Sequence, residues 1–157
     1  MNVYFTLKLI HVLGAAILFG TGLGIAFFMW MANRTRNPAM IAHTARMVVI
    51  ADGVFTALAV VIQPITGVLL AVYAGFRLFE LWISLTVAIY ILVGLCWLPV
   101  VWIQVQLRDL AAAAARDNTA LPERYHRLYR IWFWLGWPAF AGVLAIFALM
   151  IWKPTWS

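Results

Sequence analysis

Cysteine and acidic residues are what this chain has least of. A single cysteine, Cys96, stands among 157 residues. A disulfide framework within the chain is therefore excluded, and so is a metal site built on several cysteines. Asp and Glu number five against eleven Lys and Arg, and charged residues together make up 10%, where an ordinary soluble domain has about 25%. Phosphate-cradling loops are missing as well, because the run "GTGLG" lies inside an apolar segment and follows no strand. No residues are arranged as a nucleophilic triad. Histidine occurs only at positions 11, 43 and 126, too few and too scattered for a transition-metal site that needs several converging protein ligands.

What fills the space is apolar. Hydrophobic residues account for 66% of the chain, with nine Trp and ten Phe. On so small a protein only a bilayer tolerates that much apolar surface. The formal charge of +6 does not point to nucleic acid, since most arginines fall in two short connections, as topology determinants do. The chain reads as one membrane domain, residues 1–157, all-α, a bundle of four transmembrane helices over about 4–31, 43–74, 78–110 and 123–152. Each apolar run exceeds the roughly 20 residues that cross a hydrocarbon core. In lipid the backbone must satisfy its own hydrogen bonds, which makes each run a helix. The first run is longer than the roughly 7–15 residues of a signal h-region and only Lys8 represents a basic n-region, so it reads as a span rather than a leader.

Orientation follows from the basic residues. Arg34, Arg36 and Arg46 flank the first connection; Arg108, Arg116, Arg124, Arg127 and Arg130 flank the third; the other side holds only Lys8, Arg77 and Lys153. The excess places the first and third connections in the cytoplasm and both termini outside, an N-out/C-out protein of the bacterial inner membrane. Tyr125, Tyr129 and Trp132 at one end of the fourth helix, and Trp152 and Trp156 at the other, fit interfacial aromatic belts.

His11 is the isolated ionisable group of the first span. At about 100° per residue, Gly14, Ala15, Leu18, Gly22 and Ala26 share its face. That face is mostly small and leaves a groove beside the imidazole. Ala16, Gly20 and Gly24 form a second small-residue row that lets another helix approach. A histidine so placed either hydrogen-bonds to a neighbouring helix or binds a ligand, and intramembrane ionisable residues carry function by default. On the second helix Asp52, Thr56, Gln63 and Thr66 fall within about 40° of one line. Such a stripe faces protein or water rather than lipid. It serves either as interhelical hydrogen bonding or as a proton- or quinol-facing path toward the His11 layer. Pro64 should free a backbone carbonyl one turn earlier. Lys8 and Glu80, at similar depth in the outer leaflet, are expected to pair, with Arg77 close enough to compete. His43 and His126 read as headgroup-level residues.

The opening "LKLIHVLGAAILFGTGLG", the basic and Tyr-rich "RYHRLYR", the mid-helix Pro138 and the closing "WKP" resemble small four-helix bacterial integral membrane proteins and, more distantly, the HemJ-type membrane protoporphyrinogen oxidases. The resemblance implies that His11 matches an axial haem ligand. The departures lie elsewhere. HemJ-type proteins carry a lysine early in helix three that is implicated in activity, where this chain reads "RLFELWISLT" with Trp82 near the position. They carry a Pro-Arg pair late in helix one, where this chain reads "IAFFMW".

The expected function is thus a b-type haem-binding or redox membrane protein. His11 is the metal ligand, Gly14, Ala15 and Gly22 make room for a porphyrin or a quinone, and the Asp52–Thr66 stripe exchanges protons with the cytoplasm. A haem-dependent oxidoreductase activity is one form this takes. The alternatives are a cofactor-free accessory subunit of a larger membrane complex or homo-oligomer, packed through Ala16, Gly20 and Gly24, or a small transporter.

Overall fold

In the computed structural model, which describes residues 3–154, the chain is helical with no strand among the described residues. Trp156, expected in an aromatic belt, lies outside them. The helices are α1 (Val3–Arg34), α2 (Pro38–Ala51), α3 (Ala57–Tyr73), α4 (Leu81–Arg116) and α5 (Glu123–Trp152), with a π-helical turn over Asp52–Thr56 joining α2 to α3. Counting α2 to α3 as one span, four helices are long and apolar enough to cross a membrane. Two ends can be distinguished. The α1–α2 and α4–α5 connections form an arginine-rich end; the start of α1, the end of α5 and the α3–α4 connection form the His11 end.

Local chemistry sets the boundaries. The second span starts at Pro38 rather than near 43 because Asn37 caps it: Asn37 Oδ1 accepts from Ala39 N at 2.9 Å and Met40 N at 3.3 Å, with proline in the first turn. The span stops where Gly75 takes φ +76°. There Phe76 N donates to Ala71 O at 3.0 Å and Gly75 N to Val72 O at 3.1 Å, a Schellman closure that needs a left-handed residue. α4 runs to Arg116, past the expected 110, because the alanine run extends it. Asn118 then takes the left-handed role, φ 49°, with Thr119 N donating to Ala114 O at 3.0 Å.

The packed core lies wholly in the arginine-rich half. Ile25 and Met29 of α1, Ile41 and Ala45 of α2, Ile103 and Leu107 of α4, and Tyr125 and Trp132 of α5 form one buried cluster. In lipid such a cluster is held by close contact and not by exclusion of water. Toward the other end the buried residues are Ala59, Thr66, Ala71, Trp82 and Thr86, small or hydroxylated apart from the one tryptophan.

The helix neighbours change in the same way. α2 packs on α4 and α1, and α4 on α5, whereas α3 packs along α1 and has no comparable packing with α4 or α5. The His11 half therefore consists of two helix pairs, α1 with α3 and α4 with α5. Phe19 of α1, stacked at 5.2 Å on Phe140 and tilted at 5.6 Å against Phe147, is one bridge between them.

A candidate ligand site at His11

The α1–α3 seam is built around His11. Its Nδ1 lies 2.8 Å from Thr66 Oγ1, while Gln63 Nε2 donates to the His11 carbonyl at 2.8 Å. Two glycines make the approach possible. A Cβ on Gly67 would stand 3.3 Å from His11 Cε1, and a Cβ on Gly14 would collide with Gln63 Nε2. Gly14 thus admits the Gln63 amide.

The Thr66 hydroxyl lies 2.9 Å from Ile62 O and 3.2 Å from Gln63 O, the usual back-bonding of a helical threonine. With its one proton on those carbonyls, its oxygen accepts from Nδ1–H of His11; in the other tautomer the hydroxyl donates to Nδ1 and Nε2 carries the ring proton. In the first arrangement the Nε2 lone pair has no hydrogen-bond partner among the described residues. An imidazole held at Nδ1 with Nε2 presented is the arrangement in which histidine binds a metal.

The rest of the expected groove is distributed differently. Ala15 and Leu18 are half-buried beside His11, but Gly22 and Ala26 are exposed, and the inward face continues through Ile25, Met29 and Ala32. The Ala16–Gly20–Gly24 row admits no helix of this chain: nothing lies within 4 Å of a Cβ on Gly20, and Gly24 meets only Phe28 of its own helix at 4.0 Å. Close approach by a neighbouring helix occurs instead at Gly142 of α5, where an added Cβ would meet Val93 and, at 3.3 Å, Ile89 of α4.

The polar stripe divides into two. Gln63 and Thr66 hold α1. Asp52 and Thr56 lie in the π-helical turn, both buried. Asp52 Oδ1 accepts from Trp97 Nε1 at 3.3 Å, and the Thr56 hydroxyl lies beside the same carboxylate, although neither it nor Oδ2 makes a close hydrogen bond. Turns of this kind are frequent at functional sites. The carbonyl freed by Pro64 is that of Val60, and the Tyr90 hydroxyl of α4 donates to it. Tyr90 is therefore the residue the sequence reading missed, although the proline had announced that a donor was needed.

Lys8 and Glu80 do not pair. Glu80 Oε1 accepts from Arg77 N at 3.0 Å and Oε2 from Trp82 Nε1 at 2.8 Å. Lys8 lies 6.0 Å from the Tyr4 ring centroid. Partners two and three residues away cost little ordering, and α1 and α4 do not pack closely enough to compete. Trp82 is further enclosed by Phe76, edge-on at 5.3 Å, and by Lys153 at 5.8 Å. His43 and His126 are exposed at the arginine-rich end. Among the described residues no three His, Cys, Asp or Glu side chains gather as a metal cluster.

Four apolar spans joined by short connections, with an internal polar seam, define an integral membrane protein. Comparison agrees: the chain belongs to the DUF2269 family, described as predicted integral membrane proteins, whose model matches residues 5–154. No curated protein and no solved structure matches it significantly, and nothing in these comparisons links it to the HemJ-type oxidases.

Proposed function

We propose that this is a b-type haem-binding membrane redox protein with His11 as axial ligand through Nε2. The observation that carries the reading is the His11–Thr66 contact of 2.8 Å, which holds the ring by Nδ1 and leaves Nε2 unpartnered. A single protein ligand would suffice for a metal whose remaining ligands a porphyrin would supply. Support also comes from the location of the core. Apart from Trp82 the His11 half is not filled by large buried side chains, and α3 has no extensive packing against α4 or α5. Room for a flat apolar ligand is sought between the two helix pairs and not at Gly14, which Gln63 occupies.

Bound haem would supply one-electron chemistry. The chain's own residues would orient and protonate: Thr66 would keep the proton on His11 Nδ1, and the Asp52 carboxyl, beside the Thr56 hydroxyl, would hold a proton at mid-span. With the arginine-rich end in the cytoplasm of a bacterial inner membrane, Asp52 stands between that compartment and the His11 layer.

The test is the absorption spectrum of the purified protein, oxidised and dithionite-reduced, beside His11→Ala. A Soret band lost in the variant is expected; no band in either protein with haem supplied would refute the reading. That refutation would favour a cofactor-free subunit of a larger assembly, for which the open row at Gly20 is the relevant observation. Co-purifying subunits lost on Gly20→Leu would then be its sign.

A further inference from the structure

At the arginine-rich end a cavity of about 500 Å³ opens between the last turn of α1 and the first turns of α5, lined by Trp30, Asn33, Arg34, Arg36 and Tyr129. Its donors lack acceptors. The Arg34 guanidinium lies over the Trp30 ring, 5.1 Å from the centroid. Neither Arg34 nor Arg36 pairs with a carboxylate; the ion pairs among the described residues are Arg108–Asp109 and Arg130–Glu123. The Tyr129 hydroxyl is buried with no hydrogen-bond partner, a state that proteins rarely leave uncompensated. Asn33 is already satisfied, donating to Met29 O and accepting from Tyr125 OH, both at 2.8 Å. Arg36 sits at φ 54° on the three-residue connection, a left-handed position where glycine or asparagine is the usual occupant. A second cavity at this end, between α2 and α4, contains its own counter-charge, Asp109, 2.8 Å from Arg108.

We propose that the Trp30–Arg34–Arg36–Tyr129 cavity binds the phosphate of an anionic phospholipid headgroup. Guanidinium groups grip phosphate oxygens in pairs, and phosphate accepts where this cavity only donates. The depth agrees: the cavity lies at the ends of two spans, where headgroups reside and where basic pockets between helices select anionic lipid. Trp30 offers an apolar face to the glycerol and upper acyl chain.

The experiment measures the thermal midpoint of the full chain in neutral detergent with phosphatidylglycerol, phosphatidylcholine or inorganic phosphate added. Phosphatidylglycerol is expected to raise the midpoint more than phosphatidylcholine. Arg34→Gln/Arg36→Gln should abolish most of that difference, and Tyr129→Phe, which removes no existing hydrogen bond, should reduce it. Arg116→Gln/Arg127→Gln, an equal loss of charge outside the cavity, should retain it. An equal loss in that control, or no preference between the two lipids, overturns the proposal. Inorganic phosphate that reproduces the shift and cancels the gain from phosphatidylglycerol overturns it in favour of the free anion.

Discussion

Gly14→Ala probes the α1–α3 seam with a single methyl. The Cβ would fall on Gln63 Nε2, the group that donates to the His11 carbonyl at 2.8 Å. That atom is the far end of a flexible side chain, so the amide can swing away and the backbones need not part. The cost is then chiefly the interhelical hydrogen bond, about 1 kcal/mol by the measured range for membrane helices. If the seam instead resists, overpacking adds about 1–3 kcal/mol. A double-mutant cycle separates these outcomes. Gln63→Ala alone should cost about 1 kcal/mol, and Gly14→Ala should become nearly silent in that background, a coupling of about 1 kcal/mol. Reversible unfolding in mixed micelles reads all four proteins. Additive costs would show that Gly14 meets something other than Gln63, and the seam described here would be wrong.

Tyr90→Phe should cost about 1–3 kcal/mol by orphaning the Val60 carbonyl, and Pro64→Ala, which returns an N–H to that carbonyl, should remove most of this penalty in the same unfolding assay. Thr66→Val keeps the side-chain shape but deletes the acceptor of His11 Nδ1; haem retention measured by Soret titration should weaken about 10- to 100-fold, as for other outer partners of metal-binding histidines, while His43→Ala leaves it unchanged. Asp52→Asn retains an oxygen for Trp97 and places an N–H₂ beside the Thr56 hydroxyl, which can accept from it. The thermal midpoint should hold or rise, because a buried carboxylate short of partners is a weak stabiliser; a clear fall would show that the ionised carboxylate is structurally required.

The four spans were legible because a bilayer imposes a length and a composition on anything that crosses it, and the two arginine-rich connections fall together at one end. The inward face of α1 was legible only near His11. A straight helix of about 3.6 residues per turn carries that face through Gly22 and Ala26, whereas packed helices follow a seven-residue repeat. The observed seam accordingly runs His11, Leu18, Ile25, Ala32, leaving Gly22 outside. The π-helical turn had no signal in "DGVFT", and it changes the register between Asp52 and Gln63. Charge pairing failed for a different reason. Depth alone suggested Lys8 with Glu80, but Arg77 N and Trp82 Nε1 reach Glu80 within a single loop. Tyr90 and Trp97 were invisible as partners because a donor on α4 is chosen by helix placement and not by local sequence.

The uneven distribution of the core constrains where chemistry can occur. In lipid an apolar contact between helices gains little over contact with acyl chains, so close packing and interhelical hydrogen bonds decide which helices stay together. In the arginine-rich half, dense packing around Met29, Ile41, Leu107 and Tyr125 supplies the first. In the His11 half, the bonds from Gln63 and Thr66 to α1 and from Tyr90 to Val60 supply the second. The polar residues of that half therefore serve two roles: they fix α1 on α3, and through His11 they leave one unpartnered nitrogen at the seam.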